Sequence, residues 1–452
     1  MVVFVSQLRK TGEESIGDNM KKLSVLLVFV MLVSVFCAAA AQEKSFLERA
    51  YDGEFKGTQV IFDGPFVDND QVFFEESIKP FEEATGIDIV YVGNKDFEST
   101  IQMRVEGGNA PDIADFPQPG LLGNLAKKGY MIDVRNVISE DWLKENYSEA
   151  WLDLAMMEGP DGQPMMAGIW ARNNGKSQVY YRPDVWAEAG YEVPTTWDEM
   201  VALSKQMVED GETPWCIGIE SGSATGWPAT DWLEDIMLRT VSPEQYDAWT
   251  KGELKFDSPE VRRAIDIMSE IWFTDGFVYG GREAIATTNF GESVKPLFYD
   301  VDGCMMHRMG NFITAYFPEG LEPLKDYDVF YLPPIDEEFG SPYLGGGDIY
   351  GVFNEKPEVL AAFEFFSHGE SLKFWLGQGG ALSPHNDADA SWYKDPTEAK
   401  IAEFIQNANT FRFDGSDLMP SSVGAGTFWK GMTDLVTGAD VDTVVAEIDK
   451  GW

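Results

Sequence analysis

The chain has 452 residues, 44% hydrophobic and 24% charged, which is enough apolar material for a large core and excludes disorder, collagen and coiled coil. Its 34 Lys and Arg against 76 Asp and Glu give a net charge of −42, which repels nucleic acid and anionic membrane surfaces and excludes both as main partners. The length points to two domains, and a neutral or cationic partner stays open.

Residues 1–19 are polar and precede a self-sufficient export signal, so they read as an overcalled start. Met20, Lys21 and Lys22 lead into an apolar run from Leu23 to Phe36, broken by Ser34 alone, and then into Cys37-Ala38-Ala39-Ala40-Ala41-Gln42. A basic start, an apolar stretch and small residues make a secretory signal over residues 20–41, cleaved near Ala40 or Ala41. The run is short for a membrane span, which needs about 20 residues; a single amino-terminal anchor is the alternative. A lipid anchor on Cys37 is disfavoured, because Val35 and Phe36 stand where small residues belong. No second long apolar segment follows, so the mature chain is expected to be soluble and periplasmic or otherwise extracytoplasmic. Cleavage leaves Cys216 and Cys304, free either to pair or to remain thiols.

The mature chain then alternates strand and helix. Thr58 to Phe62 is β-branched and aromatic; Phe73, Phe74, Ile78 and Phe81 follow at helical spacing and end near Gly86. A strand over Ile87 to Val92, a helix carrying Phe97, Ile101 and Val105, a strand over Asp112 to Phe116 and a helix headed by Leu121, Leu122 and Leu125 complete a first set. A second set begins with a strand at Val179 to Tyr181 and a capping box, Thr196-Trp197-Asp198-Glu199, opening a helix. Ile217 to Ile219 reads as a strand, Val261 to Phe273 as a helix, and Gly303 to Met306 and Val329 to Leu332 as strands. Helices begun by Pro357 and carrying Val444, Val445 and Ile448 close the chain. The expected fold is α/β, each half a mainly parallel sheet flanked by helices.

Signals for catalysis fail one by one. His307, His368 and His385 are the only histidines, and none has zinc-ligand spacing. Gly175-Lys176-Ser177 resembles the end of a phosphate loop, but Trp170 stands where the earlier glycine belongs, so the segment reads as a solvated turn. No Gly-x-Gly-x-x-Gly and no Gly-x-Ser-x-Gly occurs. Carboxylates are too common for any pair to be singled out as hydrolytic. No nucleophile, metal or cofactor is indicated, which favours a binding protein over an enzyme.

Aromatic residues lie in polar, glycine-rich loops, Trp170, Trp227 and Trp429 most clearly. A sugar ring has apolar C–H faces and hydroxyl edges, so it calls for flat aromatic surfaces and convergent polar groups. In an open α/β sheet such a ligand sits beyond the carboxyl ends of the strands, which gives the loops Asp63 to Asp70, Gly93 to Asp96 and Asp115 to Gln118. The second half adds Glu220 to Asp231, His307-Arg308 and Gly345-Gly346-Gly347-Asp348.

Three stretches carry a resemblance: Gly108-Asn109-Ala110-Pro111-Asp112-Ile113-Ala114; Val179-Tyr180-Tyr181-Arg182-Pro183-Asp184 followed by Val193-Pro194-Thr195-Thr196-Trp197-Asp198-Glu199; and Gly345 to Phe353 before the Pro357 helix. In them the chain resembles the extracytoplasmic solute-binding proteins of sugar ABC transporters, the group that includes the maltose-binding protein. Glu220 to Leu238 and Thr427 to Met432 are similar to its α-glucoside-binding branch. The resemblance implies the two-lobe periplasmic-binding-protein fold of type II, with crossings near Trp170 to Lys176, Gly345 to Asp348 and Ala381 to Asp387. The N-terminal lobe would hold residues 42–172 and 348–387, the C-terminal lobe residues 173–347 and 388–452. It further implies a sugar between the lobes and closure that presents a surface to the membrane permease. One departure concerns Phe116, followed by Pro117-Gln118 where family members often carry an aromatic pair.

The expectation is non-catalytic capture of a neutral α-linked oligosaccharide such as trehalose, maltose or sucrose by a monomer that delivers it to an ABC importer. Trp227 and Trp429 are expected to stack on the sugar. Asp115, Asp231, His307, Arg308 and Asp348 are expected to bond its hydroxyls, with Asp68 and Gln118 beside them. A secreted glycoside hydrolase or lyase, or a receptor for another small solute, are the alternatives.

Overall fold

The computed structural model describes residues 44–452; the expected export signal at 20–41, the residues before it and Cys37 lie outside the described residues. Strand β1 (Gln59–Gly64) is central to the first sheet. It is parallel to β2 (Asp88–Gly93), with Gln59 opposite Asp88, and to β3 (Ile113–Phe116), with Phe62 opposite Ile113. The helix between β1 and β2, Asp68–Thr85, buries Phe74, Ile78 and Phe81 and stops at Gly86, where φ is +73°. That conformation suits a residue without Cβ. Buried on β1, Phe62 meets Phe74, Tyr350 and Phe366 edge-on at centroid distances of 5.1, 4.8 and 5.3 Å.

A long strand, β10 (Pro342–Val352), joins this sheet late in the chain. It runs antiparallel to β3 and parallel to β11 (Thr410–Phe413). Strand β6 (Ile169–Gly175), which follows a hairpin of β4 (Met156–Glu158) and β5 (Pro164–Met166), pairs antiparallel with β10 from Tyr350 opposite Ile169 to Gly345 opposite Gly175. Asn173 is bridged on to Leu382, so three separate segments run side by side here. Glycine permits the closeness: a Cβ on Gly347 would lie 2.6 Å from the Arg172 carbonyl, and one on Gly345 would lie 2.4 Å from the Phe411 ring.

One apolar core surrounds this sheet. A second gathers Trp215, Trp232, Trp272 and Met268 under the helices Trp197–Asp210, Trp227–Leu238 and Pro259–Trp272. A third, smaller cluster holds Tyr180, Ile313 and Tyr343. The Thr196 hydroxyl accepts from the Glu199 N–H and the Glu199 carboxylate returns to the Thr196 N–H, so the capping box is present.

The fold class stands as α/β, with two local departures. The second sheet, β8 (Met306–Arg308), β7 (Gln178–Tyr181) and β9 (Asp328–Tyr331), is antiparallel at both pairings. Apolar, β-branched composition fixes strand character but not direction, because both directions bury the same faces. Ile217 to Ile219 forms no strand; the extended segment instead makes single bridges, Trp215 to Val278 and Met306, and Glu220 to Asn289. Pro214 and Gly218 interrupt the ladder that this short run would need. Cys216 and Cys304, 5.6 Å apart at Cα, form a disulfide spanning 88 residues, which decides the pairing that sequence left open.

Candidate functional site

A cavity of about 230 Å³ opens at the carboxyl ends of the first sheet's strands, where an open α/β sheet puts its ligand. One wall comes from the loops after β1, β2 and β3, through Phe66, Asp68, Asp70, Lys95 and Gln118. The other comes from Glu220 to Asp231, from Phe290, Phe312 and Tyr316, and from Asp414, Ser416, Asp417 and Trp429. Strands β6 and β10 cross between the walls and contribute Arg172, Asn174, Lys176, Gly347 and Asp348. The walls touch at the mouth, where Asn69 Nδ2 donates to the Ala315 carbonyl at 2.6 Å.

Six of the nine expected residues line this cavity: Asp68, Gln118, Trp227, Asp231, Asp348 and Trp429. Asp68 sits at the exposed mouth, 3.5 Å from Lys95 Nζ. Trp227 is half-buried, held edge-on by Phe290 and Phe312 at 5.1 and 5.7 Å. Trp429 is buried, and its Nε1 donates to the Ser416 hydroxyl at 3.3 Å.

Asp115, His307 and Arg308 are placed elsewhere. Asp115 lies fully buried under the floor with both carboxylate oxygens unpartnered; burial and the nearby Asp348 carboxylate push its pKa well above the usual range. His307 faces the interior, its Nδ1 2.9 Å from the Cys216 carbonyl, and burial lowers its pKa to about 4. Arg308 Nη2 donates to Asp235 Oδ2 at 2.7 Å, and its Nη1 lies 3.8 Å from Asp231 Oδ2. Both sit on β8, whose residues are all buried, and neither is among the residues that line the cavity. Trp170 is likewise core, packed against Trp151 and Phe413 at 4.9 and 5.1 Å. The Phe116 loop supplies Pro117 and Gln118 in place of an aromatic pair.

The largest correction concerns Gly175-Lys176-Ser177. Far from a solvated turn, it continues β6 into the cavity, with the Lys176 N–H donating to the Leu344 carbonyl. Lys176 Nζ lies 3.0 Å from Asp231 Oδ1 and 2.6 Å from Asp414 Oδ2, and 5.7 Å from the Trp227 ring centroid. Burial alone would lower its pKa, but Asp231 and Asp414 raise it well above the ordinary value, so it stays an ammonium. Conversely, burial holds the Asp231 carboxyl up near 7 despite Lys176. Asp231, Glu234 and Asp414 are close enough to hold a metal ion, yet Lys176 already supplies the positive charge there. Glu234 is also committed, accepting the N–H groups of Gly415 and Ser416.

Arg172 is the second buried cation that sequence reasoning passed over. Its Nε donates to Asp348 Oδ2 at 2.6 Å, and its guanidinium lies 4.6 Å from the Phe66 centroid and 4.4 Å from that of Trp375. Period-two alternation along Arg172 to Lys176 was the signal available for both. In the cavity walls Asp70 Oδ1, Arg172 Nη1, Asn174 Oδ1, Gln118 Oε1 and Asp231 Oδ2 are buried without a hydrogen-bond partner. A buried polar atom left in this state costs about 1–3 kcal/mol, so the site is organised to receive a ligand rich in donors and acceptors.

Comparison with known proteins gives the family and the fold. Residues 68–379 match the family profile of the bacterial extracellular solute-binding proteins. The osmoprotective compounds-binding protein GgtB of Synechocystis is 42% identical over 401 residues, covering 89% of this chain and 94% of the relative. The alpha-glucosides-binding periplasmic protein AglE of Rhizobium meliloti is 40% identical over 405 residues, covering 88% of each. Among solved structures, the solute receptor AcbH superposes with a TM-score of 0.74 at 18% identity, covering 87% of this chain and 97% of that one. A maltose-bound MalE3 of T. maritima superposes at 0.67 and 15% identity, covering 87% and 98%. At those identities the structural likeness speaks for the fold.

Proposed function

The chain belongs to the bacterial extracellular solute-binding protein family, which places it outside the cytoplasm, and on that premise we propose that it captures a neutral α-linked oligosaccharide and delivers it to an ABC importer. The observation that carries the ligand class is the make-up of the cavity. Six aromatic side chains, Phe66, Trp227, Phe290, Phe312, Tyr316 and Trp429, share its lining with buried polar atoms that lack partners. Aromatic rings suit the C–H faces of a sugar, and hydroxyls, which donate and accept at once, suit the unpartnered atoms.

The two relatives of 40% and 42% identity carry names that refer to alpha-glucosides and to osmoprotective compounds, and the first of these supports a small α-glucoside such as trehalose, sucrose or maltose. The two deep cations of the walls do not argue for an anionic ligand: Arg172 and Lys176 are already balanced by Asp348 and by Asp231 and Asp414. Charge-assisted hydrogen bonds from such pairs to hydroxyls are short and strong. The protein acts as a receptor without turnover: ligand binding favours the closed arrangement of the walls by its greater affinity for it, and the closed form engages the permease. Export runs through the signal at residues 20–41.

Titration calorimetry of the purified protein against trehalose, sucrose, maltose and their trisaccharide homologues tests this reading. Saturable binding to at least one α-glucoside, with the sugar recovered intact, is the expected result. No heat with any sugar, or release of glucose on incubation, overturns it.

A further inference from the structure

From Arg172 in β6 to Lys176 just past its end, every second residue lines the cavity. Arg172, Asn174 and Lys176 line it, whereas Asn173, absent from the lining, is bridged through its backbone to Leu382, and the Gly175 N–H donates to Asn311 Oδ1 at 3.0 Å. Residues two apart on a strand are separated by about 6.6 Å, so Arg172 and Lys176 stand about 13 Å apart along the cleft. Their side chains engage different partners: Arg172 is held by Asp348 between the rings of Phe66 and Trp375, and Lys176 by Asp231 and Asp414 beside Trp227.

Each cation keeps an unused donor beside an unused acceptor. Arg172 Nη1 and Asp70 Oδ1 both lack hydrogen-bond partners and stand 3.9 Å apart, too far to bond directly. A hydroxyl can accept from the first and donate to the second. Lys176 spends two of its three N–H groups on Asp231 Oδ1 and Asp414 Oδ2, and Asp231 Oδ2, 3.8 Å from Arg308 Nη1, is left without a hydrogen bond. The cleft therefore holds two stations for hydroxyls, one at the middle of β6 and one just past its carboxyl end, with Asn174 between them. Gly346 makes room for the second, since a Cβ there would lie 3.1 Å from Lys176 Cε.

We propose that β6 is the element that measures the ligand: Arg172 with Asp70 binds the hydroxyls of one ring and Lys176 with Asp231 those of the next, selecting a neutral glycoside two units long. This rests on the sugar-binding reading above and adds to it a length and two specificity-determining residues.

The test is a ligand-length series crossed with two variants. With wild-type protein, affinity measured by calorimetry should rise at least 100-fold from glucose to the best disaccharide, and less than threefold from that disaccharide to its trisaccharide. R172Q and K176M should each weaken the disaccharide at least tenfold, while glucose, which fills one station, responds to one substitution and not to the other. A residue that only holds the fold together would change glucose and disaccharide by the same factor. Because K176M leaves Asp231 and Asp414 unpaired, K176R and thermal unfolding of every variant accompany it, and the wild-type series stands even if K176M does not fold. Affinity that climbs equally with each added ring, or glucose that responds equally to both substitutions, overturns the proposal while sugar binding stands. No response to any sugar overturns the underlying reading as well.

Discussion

Trp227 stands in the second wall with Phe290 and Phe312 packed edge-on against it and the Lys176 ammonium 5.7 Å from its ring centroid. Neighbours on several sides fix the ring before any ligand arrives, so stacking costs little further ordering. Trp227→Ala should weaken sugar binding by about 1–3 kcal/mol, the scale of burying one large side chain. Calorimetry decides it, and unchanged affinity would remove Trp227 from the ligand's surroundings. Lys176 and Arg172 lie deeper. Each is a buried charge that the fold holds only because carboxylates answer it, and that compensation comes from residues far away in sequence, Asp348 at 176 positions from Arg172 and Asp414 at 238 from Lys176. A local reading of Gly175-Lys176-Ser177 has no access to such partners, which is why it pointed to solvent.

At the scale of elements, two of the three segments that run side by side, β6 and the stretch leading to Leu382, are tied through one buried acid. Glu398, in the helix Pro396–Asn407, accepts the Gly380 N–H at 2.8 Å and Asn311 Nδ2 at 3.1 Å, and Asn311 in turn accepts the Gly175 N–H. Tyr180, Tyr343, Tyr327 and Asp395 face it, and burial raises the Glu398 pKa from 4.5 to about 8. The folded chain therefore binds a proton there that the unfolded chain releases. The associated stability is fully present below pH 4.5 and is lost as pH rises through about 8, at up to about 1.4 kcal/mol per pH unit. Glu398→Gln, which cannot ionise, should gain on the wild type in thermal unfolding as the pH is raised from 5 to 9. A difference independent of pH would mean that this carboxyl is not held protonated. The helices flanking the sheets were legible as sequence because their apolar spacing and caps are local. The direction of the second sheet was not, since strand pairing is settled by partners more than a hundred residues apart, Val179 against Arg308 and Phe330.

For the molecule as a whole, the disulfide between Cys216 and Cys304 closes a loop of 88 residues, and loop-closure entropy of that length amounts to about 4–5 kcal/mol. Denaturation in urea with and without reductant should differ by about that much. Neither cysteine lines the cavity, so the reduced protein, while folded, should keep its sugar affinity; a loss of affinity would tie the disulfide to the site. The charge of −42 spreads over exposed carboxylates and over the buried acids that balance Arg172, Lys176 and Arg308, and it selects no ligand. The amino-acid sequence by itself determined the α/β class, the loops that surround the cleft and six of the nine side chains expected there, because hydrophobic period, caps and strand-end loops are properties of neighbouring residues. Only the tertiary structure decided that Asp115, His307 and Arg308 turn inward, that Arg172 and Lys176 face the cleft, and that the two cysteines pair. Those outcomes depend on which distant segments share a sheet and on which buried charges must find each other once water is excluded.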